Sequence, residues 1–238
     1  MTAIGWLSCS QDDVADGDAW LSPRERATLA ALRFERRRTD WRLGRWTAKH
    51  AVRAWLGAGA PGALDEVEII AAPDGAPDAF VEGRAAALAL SLSHRDGVSM
   101  CTVAPSGTAV GCDIEAVENR DEAFAEDWFT EEERAAVKAW PLSSRALATT
   151  LVWSGKECAL KALREGLRLD TRDVEVRLGL QPGCNGLAWE SFTVVGPGGR
   201  CSFAGRWRLS LGHVFTLVVP TPWDGGPLAL VVPKSLGT

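Results

Sequence analysis

The two halves of this chain present the same order of predicted elements, and this order limits the folds that it can adopt. Each half begins with a strand, continues through helices and ends in strands that Gly- and Pro-containing turns separate. The predicted opening strands are 4–9 and 109–115, and the closing strands include 88–94, 98–104, 201–209 and 214–219. We therefore expect a pseudo-duplicated α+β fold in which each half is an antiparallel sheet packed with helices. No repeat of individual residues is visible.

The best candidate for a boundary is the turn-forming segment at 105–107, near the middle of the chain. The 238 residues suffice for two compact domains of about 100–120 residues each. We predict an N-terminal half at 1–105 and a C-terminal half at 106–238, which together form a cleft.

Composition argues against several classes of protein. No apolar run approaches the roughly 20 residues that a membrane-spanning helix needs, so no membrane partner is expected. The N-terminus lacks the basic segment and apolar core of a signal peptide, which predicts a cytoplasmic protein. The net charge of −5 argues against general nucleic-acid binding, because that affinity comes mainly from neutralised phosphates. The six cysteines are scattered singly, which favours buried thiols over disulfides or a zinc site.

Positive charge is concentrated in a long helix predicted at Glu35–Leu56. Few acidic residues accompany the arginines of its first half, which are Arg36, Arg37, Arg38, Arg42 and Arg45. Such a run either covers a solvated face or binds a ligand that carries phosphate groups. Both interpretations stay open on the residues alone.

Asp113 and Glu115 lie in a predicted strand and point to the same face, because side chains alternate along a strand. Two carboxylates this close repel each other unless a cation neutralises them. Oxygen ligands favour Mg²⁺, which usually binds a few carboxylates together with water and substrate phosphates. Gly111 on the same face would leave room for a ligand. The alternative is a solvated strand end that binds nothing.

A second long helix is predicted to include Trp153–Lys161, W-S-G-K-E-C-A-L-K. Trp153, Glu157 and Lys161 recur every four residues and so share one face. Glu157 offers a third carboxylate, and Lys156 and Lys161 supply positive charge beside it. The alternative is an ordinary surface Glu–Lys pair. A tryptophan on a solvated face is unusual, so we expect Trp153 to pack this helix against the site.

His94 follows the small residue Ser93 at the end of the strand segment L-S-L-S-H. A single histidine at a strand end is more often structural than functional. The small serines before it would nevertheless allow a ligand phosphate to approach the ring.

These segments together resemble a known family. G-C-D-I-E at Gly111–Glu115 and the Trp153–Lys161 segment resemble the two signature motifs of the 4′-phosphopantetheinyl transferases, G-x-D-x-E and W-x-x-K-E-x-x-x-K. L-S-L-S-H at Leu90–His94 matches the family's weaker S-x-S-H motif, and Phe34–Arg45 is similar to its arginine-rich helix. The length resembles the surfactin-synthetase type, in which one chain carries two similar halves and is expected to act as a monomer.

The chain departs from the family at one turn. Many relatives carry Gly-Lys-Pro before S-x-S-H, whereas this chain has D-G-A-P at Asp74–Pro77. Ala76 therefore replaces a lysine that often contacts phosphate, and it receives no role. Arg45 or Arg84 is expected to supply that contact instead.

The resemblance implies that a serine hydroxyl of an apo carrier protein attacks the β-phosphorus of coenzyme A, releasing 3′,5′-ADP. Asp113, Glu115 and Glu157 would hold Mg²⁺, which neutralises charge on the pyrophosphate. Glu157 would accept the serine proton, directly or through a water molecule. Lys161, and with it Lys156, would stabilise the leaving phosphate.

The resemblance further implies a division of labour between the halves. The N-terminal half would contact the phosphates of coenzyme A, and the C-terminal half would carry the metal-binding strand and the catalytic helix. The implied coenzyme A site comprises Arg45, Ser93, His94, Asp113, Lys156 and Lys161. Expected partners are apo acyl or peptidyl carrier proteins, with polyketide or nonribosomal peptide synthases favoured.

Two other functions are compatible with the same residues. A Mg²⁺-dependent phosphodiesterase or nuclease also uses two or three carboxylates and a lysine. A non-catalytic domain could bind carrier proteins or coenzyme A, although such a domain would not need three carboxylates for a metal.

Overall fold

The computed structural model describes residues 2–60, 62–179 and 188–231. Cys184 and the end of the strand predicted at 228–232 lie outside these residues. In chain order the helices and strands are β1 Gly5–Ser10, α1 Pro23–Ala31, α2 Glu35–Leu56, β2 Val67–Ala71, β3 Pro77–Val81, β4 Arg84–Ala85, β5 Leu88–Arg95, β6 Val98–Pro105, β7 Gly111–Ala116, α3 Glu122–Trp128, α4 Glu131–Ala139, α5 Arg145–Ala162, β8 Glu175–Leu178, β9 Glu190–Val195, β10 Ser202–Ser210, β11 His213–Pro220 and β12 Leu228–Ala229. The fold is therefore mixed α+β.

The chain divides into two compact units. The N-terminal unit comprises Ala3–Gly107 and the segment from Pro227 on, and the C-terminal unit comprises Thr108–Gly226 with Met1–Thr2. This division differs from the predicted halves, 1–105 and 106–238, at the end of the chain. The physical reason is that β12 pairs in parallel with β1 and so packs with the N-terminal unit.

In the N-terminal unit, four strands form a sheet in the order β12-β1-β6-β5, and β2, β3 and β4 form a second sheet. The long helix α2 packs against β1, β5 and β6. Its buried residues, including Leu43, Ala48 and Val52, join Leu7 and Cys9 of β1 in one apolar core. Burial of this face anchors α2, since the helix is otherwise rich in charge.

In the C-terminal unit, five antiparallel strands form a sheet in the order β7-β11-β10-β9-β8. Helix α5 lies against β7 and β11, with Leu151, Val152 and Ala159 in the core. Among the described residues, no helix combines the length and apolar character that crossing a membrane requires. The five cysteines that the structure describes are free thiols: Cys9, Cys101, Cys112, Cys158 and Cys201.

A buried ion pair ties together the elements of the N-terminal unit. Lys49 of α2 lies 2.5 Å from the carboxylate of Glu25, and both side chains are almost fully buried. Glu25 also accepts hydrogen bonds from the backbone N–H of Ser22, at the start of α1, and of Ile69 in β2. Lys49 donates further bonds to the carbonyl oxygens of Trp20 and Leu64. The charges are thus compensated by a complete set of partners, as burial requires.

The C-terminal unit contains a matching assembly. Lys156 of α5 lies 2.7 Å from Glu133 of α4, and neither side chain is exposed. Glu133 accepts hydrogen bonds from the backbone N–H of Thr130, at the start of α4, and of Val176 in β8. Lys156 also donates to the carbonyl oxygens of two residues of the segment before β8, Thr171 and Val174.

The two assemblies share a short local correspondence in sequence. The lysines end similar segments, W-T-A-K at Trp46–Lys49 and W-S-G-K at Trp153–Lys156. Each lysine pairs with the glutamate of an S/T-x-x-E capping box. The strand residue whose backbone N–H donates to that glutamate, Ile69 or Val176, follows the lysine at the same distance along the chain in both units. Too few residues correspond for this similarity to be visible along the sequence.

Gly111 permits the close approach of β7 to α5. A Cβ atom at this position would overlap the carbonyl group of Cys158 in α5. The space beside Gly111 is therefore filled by the helix backbone, which corrects the expectation that it leaves room for a ligand. Close contact between β7 and α5 places the two predicted motifs side by side.

Candidate active site

Strand β7 supplies two carboxylates that point to one face. Asp113 is only 4% exposed, and Glu115, two residues on, lies nearer the strand end, where exposure rises. The intervening Ile114 is buried in the core. The alternation follows from the pleat of the strand, as the sequence predicted.

Helix α5 faces these carboxylates with Trp153, Glu157 and Lys161, which lie one turn apart. Trp153 packs its ring against Phe124 and Trp128 of α3, with centroids 5.2 and 5.6 Å away. The predicted packing role of Trp153 is thus confirmed, and the ring holds α3 as well as α5.

Side-chain bonds connect the two motif segments directly. Lys161 Nζ lies 2.8 Å from Asp113 Oδ1, and Ser154 Oγ donates to Asp113 Oδ2 over 2.8 Å. Trp153 Nε1 donates to Glu115 Oε1 over 3.1 Å. Three residues of α5 therefore hold two carboxylates of β7, although the segments are about 40 residues apart in the sequence.

Lys161 is the cation of this cluster. Its side chain is 28% exposed, and it also donates to the backbone carbonyl oxygen of Cys112. Burial by itself lowers the pKa of the ammonium, but the negative charge of Asp113 and the hydrogen bond to it help to raise that pKa above the usual value. Lys161 is therefore charged at neutral pH.

Glu157 differs from the two strand carboxylates, because it makes no hydrogen bond or ion pair with any described residue. Burial raises the pKa of its carboxyl, Lys161 opposes this effect, and the negative charges of Asp113 and Glu115 raise the pKa further. The net effect is a raised pKa. The effect of Asp113 and Glu115 indicates that Glu157 lies near both carboxylates on the face shared by β7 and α5.

The chemistry of these donors fits a hard divalent cation. The negative charges of Asp113 and Glu115 help to raise the pKa of Glu157, and a bound cation would relieve this repulsion. In the arrangement shown by the described residues, no group of three His, Cys, Asp or Glu side chains is positioned to ligate a metal ion. Each oxygen of Asp113 and of Glu115 instead accepts a hydrogen bond from a neighbouring side chain.

Lys156 does not face this cluster, which corrects its predicted contact with coenzyme A. Its ammonium is fully buried and is satisfied by Glu133 and two backbone carbonyl groups. Burial lowers the pKa of Lys156 and raises that of Glu133, whereas their mutual attraction opposes both changes. Lys156 therefore stabilises the packing of α4, α5 and β8 and has no donor left for a phosphate.

The N-terminal unit contains the other predicted residues. His94, at the exposed end of β5, lines a cavity of about 440 Å³ together with Phe34, Arg36, Arg37, Asp40 and Trp41. Ser93 is buried beside it. Arg45 stacks over Trp41, with its guanidinium 4.7 Å from the ring centroid, and burial lowers its pKa. The structure thus brings His94 together with Arg36 and Arg37, which belong to the arginine run considered above as a phosphate-binding segment.

Ser154 and Arg120 are functional candidates that sequence reasoning missed. Ser154 hydrogen-bonds both Asp113 and Thr216 of β11. Its place beside Trp153 in the motif was a usable signal, since a small polar residue two turns from Lys161 lies on the same side of the helix and can reach the same strand. Arg120 pairs with Glu115 Oε2 at 3.0 Å, but it lies in an irregular segment whose path the sequence does not predict.

Residues 109–185 match a family model, ACPS, described as the 4′-phosphopantetheinyl transferase superfamily. Among solved structures, the chain is similar to the holo-[acyl-carrier-protein] synthase of Thermotoga maritima, with 22% sequence identity, coverage of 55% of this chain and 76% of that chain, and a TM-score of 0.37. It is also similar to the Helicobacter pylori holo-[acyl-carrier-protein] synthase in complex with coenzyme A, with 19% identity, coverage of 43% and 99%, and a TM-score of 0.34. No curated protein matches the chain.

The assignment rests on the family match, because the structural likenesses are weak. The matched residues contain β7 and α5, and hence Asp113, Glu115, Glu157 and Lys161. Residues 109–185 are similar to the model of the 4′-phosphopantetheinyl transferase superfamily, and this match supports 4′-phosphopantetheinyl transferase activity.

Proposed function

We propose that this protein transfers the 4′-phosphopantetheine group of coenzyme A to a serine of an apo carrier protein, with Mg²⁺ as cofactor. The observation that carries the proposal is the direct bonding between β7 and α5. Asp113 accepts from Lys161 and Ser154, and Glu157 lies on the same charged face. We propose the two-half, surfactin-synthetase type, acting as a cytoplasmic monomer for polyketide or nonribosomal peptide synthases.

Asp113, Glu115 and Glu157 are the residues that would hold Mg²⁺. When bound, the ion supplies neutralisation of the negative charge that builds on the pyrophosphate. Asp113 and Glu115 would keep their orientation through Ser154 and Trp153, because a carboxylate oxygen can accept more than one bond.

Glu157 is the proposed base for the serine hydroxyl of the carrier protein. Its carboxylate has no competing hydrogen bond among the described residues, and its raised pKa increases its affinity for a proton. The hydroxyl oxygen attacks the β-phosphorus as Glu157 accepts the proton, and the bond to the leaving 3′,5′-ADP breaks.

Lys161 is proposed to stabilise the charge that develops on the leaving 3′,5′-ADP. It is charged and part-exposed, and its contact with Asp113 fixes where the charge lies. A positive charge that is already held in place costs no reorganisation during the reaction, which is the condition for effective electrostatic stabilisation.

The cavity beside His94 is the proposed contact region for phosphate groups of coenzyme A in the N-terminal unit. Arg36 and Arg37 line it with exposed guanidinium groups, which bind phosphate through paired N–H donors. Ser93 and Arg45 remain predicted contacts. Arg45 would take the place of the lysine that Ala76 replaces.

We also propose that the two units are diverged copies of one ancestral half. The support is the matched pair of buried assemblies, Lys49 with Glu25 and Lys156 with Glu133, each of which joins a capping box, a long helix and a following strand. Such an arrangement requires several coordinated residues, so two independent origins are improbable.

The test is to incubate the protein with coenzyme A, Mg²⁺ and a panel of apo carrier proteins, and to measure the intact carrier mass. We expect the mass of one phosphopantetheine group to be added, and a control with a metal chelator to show no gain. No gain on any carrier would overturn the proposal. Mg²⁺-dependent cleavage of DNA or RNA would favour the phosphodiesterase alternative, and coenzyme A binding without transfer would favour the non-catalytic one.

A further inference from the structure

Arg120 lies in the segment that connects β7 to α3 and points back toward the carboxylate strand. Its Nη2 atom donates to Glu115 Oε2 over 3.0 Å, and a second carboxylate, Glu118, lies 3.5 Å away. The side chains of Arg120 and Glu115 are each only 13% exposed. This pair is therefore much less screened by solvent than a surface ion pair.

Two aromatic rings keep the guanidinium in place. It lies 4.6 Å from the ring centroid of Phe124 and 5.7 Å from that of Trp153. Contact of a guanidinium with two aromatic rings limits the orientations of an arginine and favours it over lysine. Since Trp153 also donates to Glu115 Oε1, the same ring supports both partners of the pair.

The consequence for Glu115 is that each carboxylate oxygen has its own donor. Trp153 holds Oε1 without a charge, and Arg120 holds Oε2 with one. Together with Lys161 beside Asp113, Arg120 balances the charge of the two strand carboxylates. A divalent cation that binds there must approach two positive groups.

We propose that Arg120 is a positioning residue that fixes Glu115 and, by its positive charge, weakens the binding of a divalent cation until substrate phosphates are present. This inference rests on the proposed metal site. The physical basis is that a pyrophosphate adds negative charge to the face shared by β7 and α5, which restores the attraction for the cation. Metal and pyrophosphate then bind cooperatively, each raising the affinity for the other by the same factor.

The test measures the Kd of Mn²⁺ for the full chain without coenzyme A, by electron paramagnetic resonance of free Mn²⁺. In Arg120→Gln, we expect the Kd to fall about five- to tenfold, because one positive charge is removed close to the cation. Damage to the site would change the Kd in the opposite direction, so the sign separates an electrostatic role from a structural one. An unchanged or raised Kd overturns the proposal.

Two further variants complete the test. Arg120→Met retains an unbranched chain between the rings and should show the same fall, which keeps the test valid if Arg120→Gln does not fold. Arg177→Gln removes the same charge from an exposed ion pair on β8, at the opposite edge of the sheet from β7, and should leave the Kd unchanged. An equal fall in Arg177→Gln would contradict a local effect of Arg120.

The outcome is independent of the transfer assay. If the native protein binds Mn²⁺ and Arg120→Gln binds it more tightly, but no carrier gains mass, the transferase proposal fails and the inference about Arg120 stands. If carriers gain mass while the Arg120 variants bind Mn²⁺ as the native protein does, the inference fails and the transferase proposal stands. Absence of any Mn²⁺ binding by the native protein would overturn the inference.

Discussion

Helices α2 and α5 are held by the same kind of buried Lys–Glu pair, but they present different side chains to the strand beside them. Each carries a buried lysine that pairs with the capping-box glutamate of an earlier helix, Lys49 with Glu25 and Lys156 with Glu133. The residue that follows the lysine is His50 in one helix and Glu157 in the other. The same buried contacts therefore support two helices whose neighbouring side chains differ.

The neighbouring strands differ in a corresponding way. Both β1 and β7 begin with glycine and pair antiparallel with the last strand of a hairpin. At the third and fifth positions, β1 has Leu7 and Cys9, which lie in the apolar core with α2. At the same positions β7 has Asp113 and Glu115, which accept hydrogen bonds from side chains of α5. The two strands therefore differ at the two positions that face the helix, which are apolar in β1 and carboxylates in β7.

The largest expected effect is on turnover in Glu157→Gln. This change removes the proposed base and one metal ligand but keeps the size of the side chain. We expect the rate of carrier modification to fall at least about 10³-fold, while binding of coenzyme A survives in part. His50→Gln, the matched change in α2, should leave turnover within about twofold, because no mechanistic role falls on that helix position. Full activity in Glu157→Gln would remove this residue from the mechanism.

Loss of the buried ammonium in Lys156→Met should lower the free energy of unfolding by about 3–5 kcal/mol, because Glu133 would remain buried without its counter-charge. Lys49→Met should lower it by a similar amount through Glu25. Urea denaturation measures both. Near-native stability of Lys156→Met combined with a raised KM for coenzyme A would instead restore the sequence-based role of Lys156 as a phosphate contact.

His50 makes the stability of the N-terminal unit depend on pH. Burial lowers the pKa of His50 to about 4, helped by nearby Arg53, and Nε2 has no hydrogen-bond partner among the described residues. The unfolded chain binds a proton near pH 6.5, so this contribution to stability is complete above that pH and is lost as the pH falls toward 4.

We therefore expect the free energy of unfolding to fall by about 2 kcal/mol between pH 7 and pH 5 through His50 alone. The measurement is urea denaturation at both pH values for the native protein and His50→Gln. The variant should lose less stability over this range, by that amount. Equal losses in the two proteins would show that His50 titrates normally in the folded state.

The smallest expected effect is that of Ser154→Ala, which removes the hydrogen bond from Ser154 to Asp113. We expect turnover to fall about tenfold, equivalent to about 1.4 kcal/mol, because Asp113 then loses the donor that orients its Oδ2 atom. The matched change Thr47→Ala in α2 should alter stability but not turnover, since the Thr47 hydroxyl bonds its own helix at the Leu43 carbonyl. Similar rates in Ser154→Ala and the native protein would show that this hydrogen bond does not position Asp113.

Local patterns in the sequence predicted much of this structure. The bounds of α2 and β2 agree with those expected, and alternation along β7 correctly placed Asp113 and Glu115 on one face. These features depend on near neighbours in the chain, which hydrophobic periodicity and capping residues report directly.

Features that depend on distant partners could not be predicted. Burial of Lys156 requires Glu133, which from the sequence is only a capping residue, and a lysine without a visible partner is expected at the surface. Arg120 reaches Glu115 from an irregular segment. The role of Gly111 depends on the backbone of α5, which lies far along the chain.

The central claim is that the charged face shared by β7 and α5 performs a Mg²⁺-dependent transfer. The most direct test is the intact mass of an apo carrier protein after incubation with coenzyme A, with and without Mg²⁺, for the native protein and for Asp113→Leu, which introduces the residue found at the matching position of β1. The native protein should add one phosphopantetheine group only with Mg²⁺, and Asp113→Leu should add none in either case. Transfer by Asp113→Leu at the native rate, or native transfer that ignores Mg²⁺, would contradict the claim.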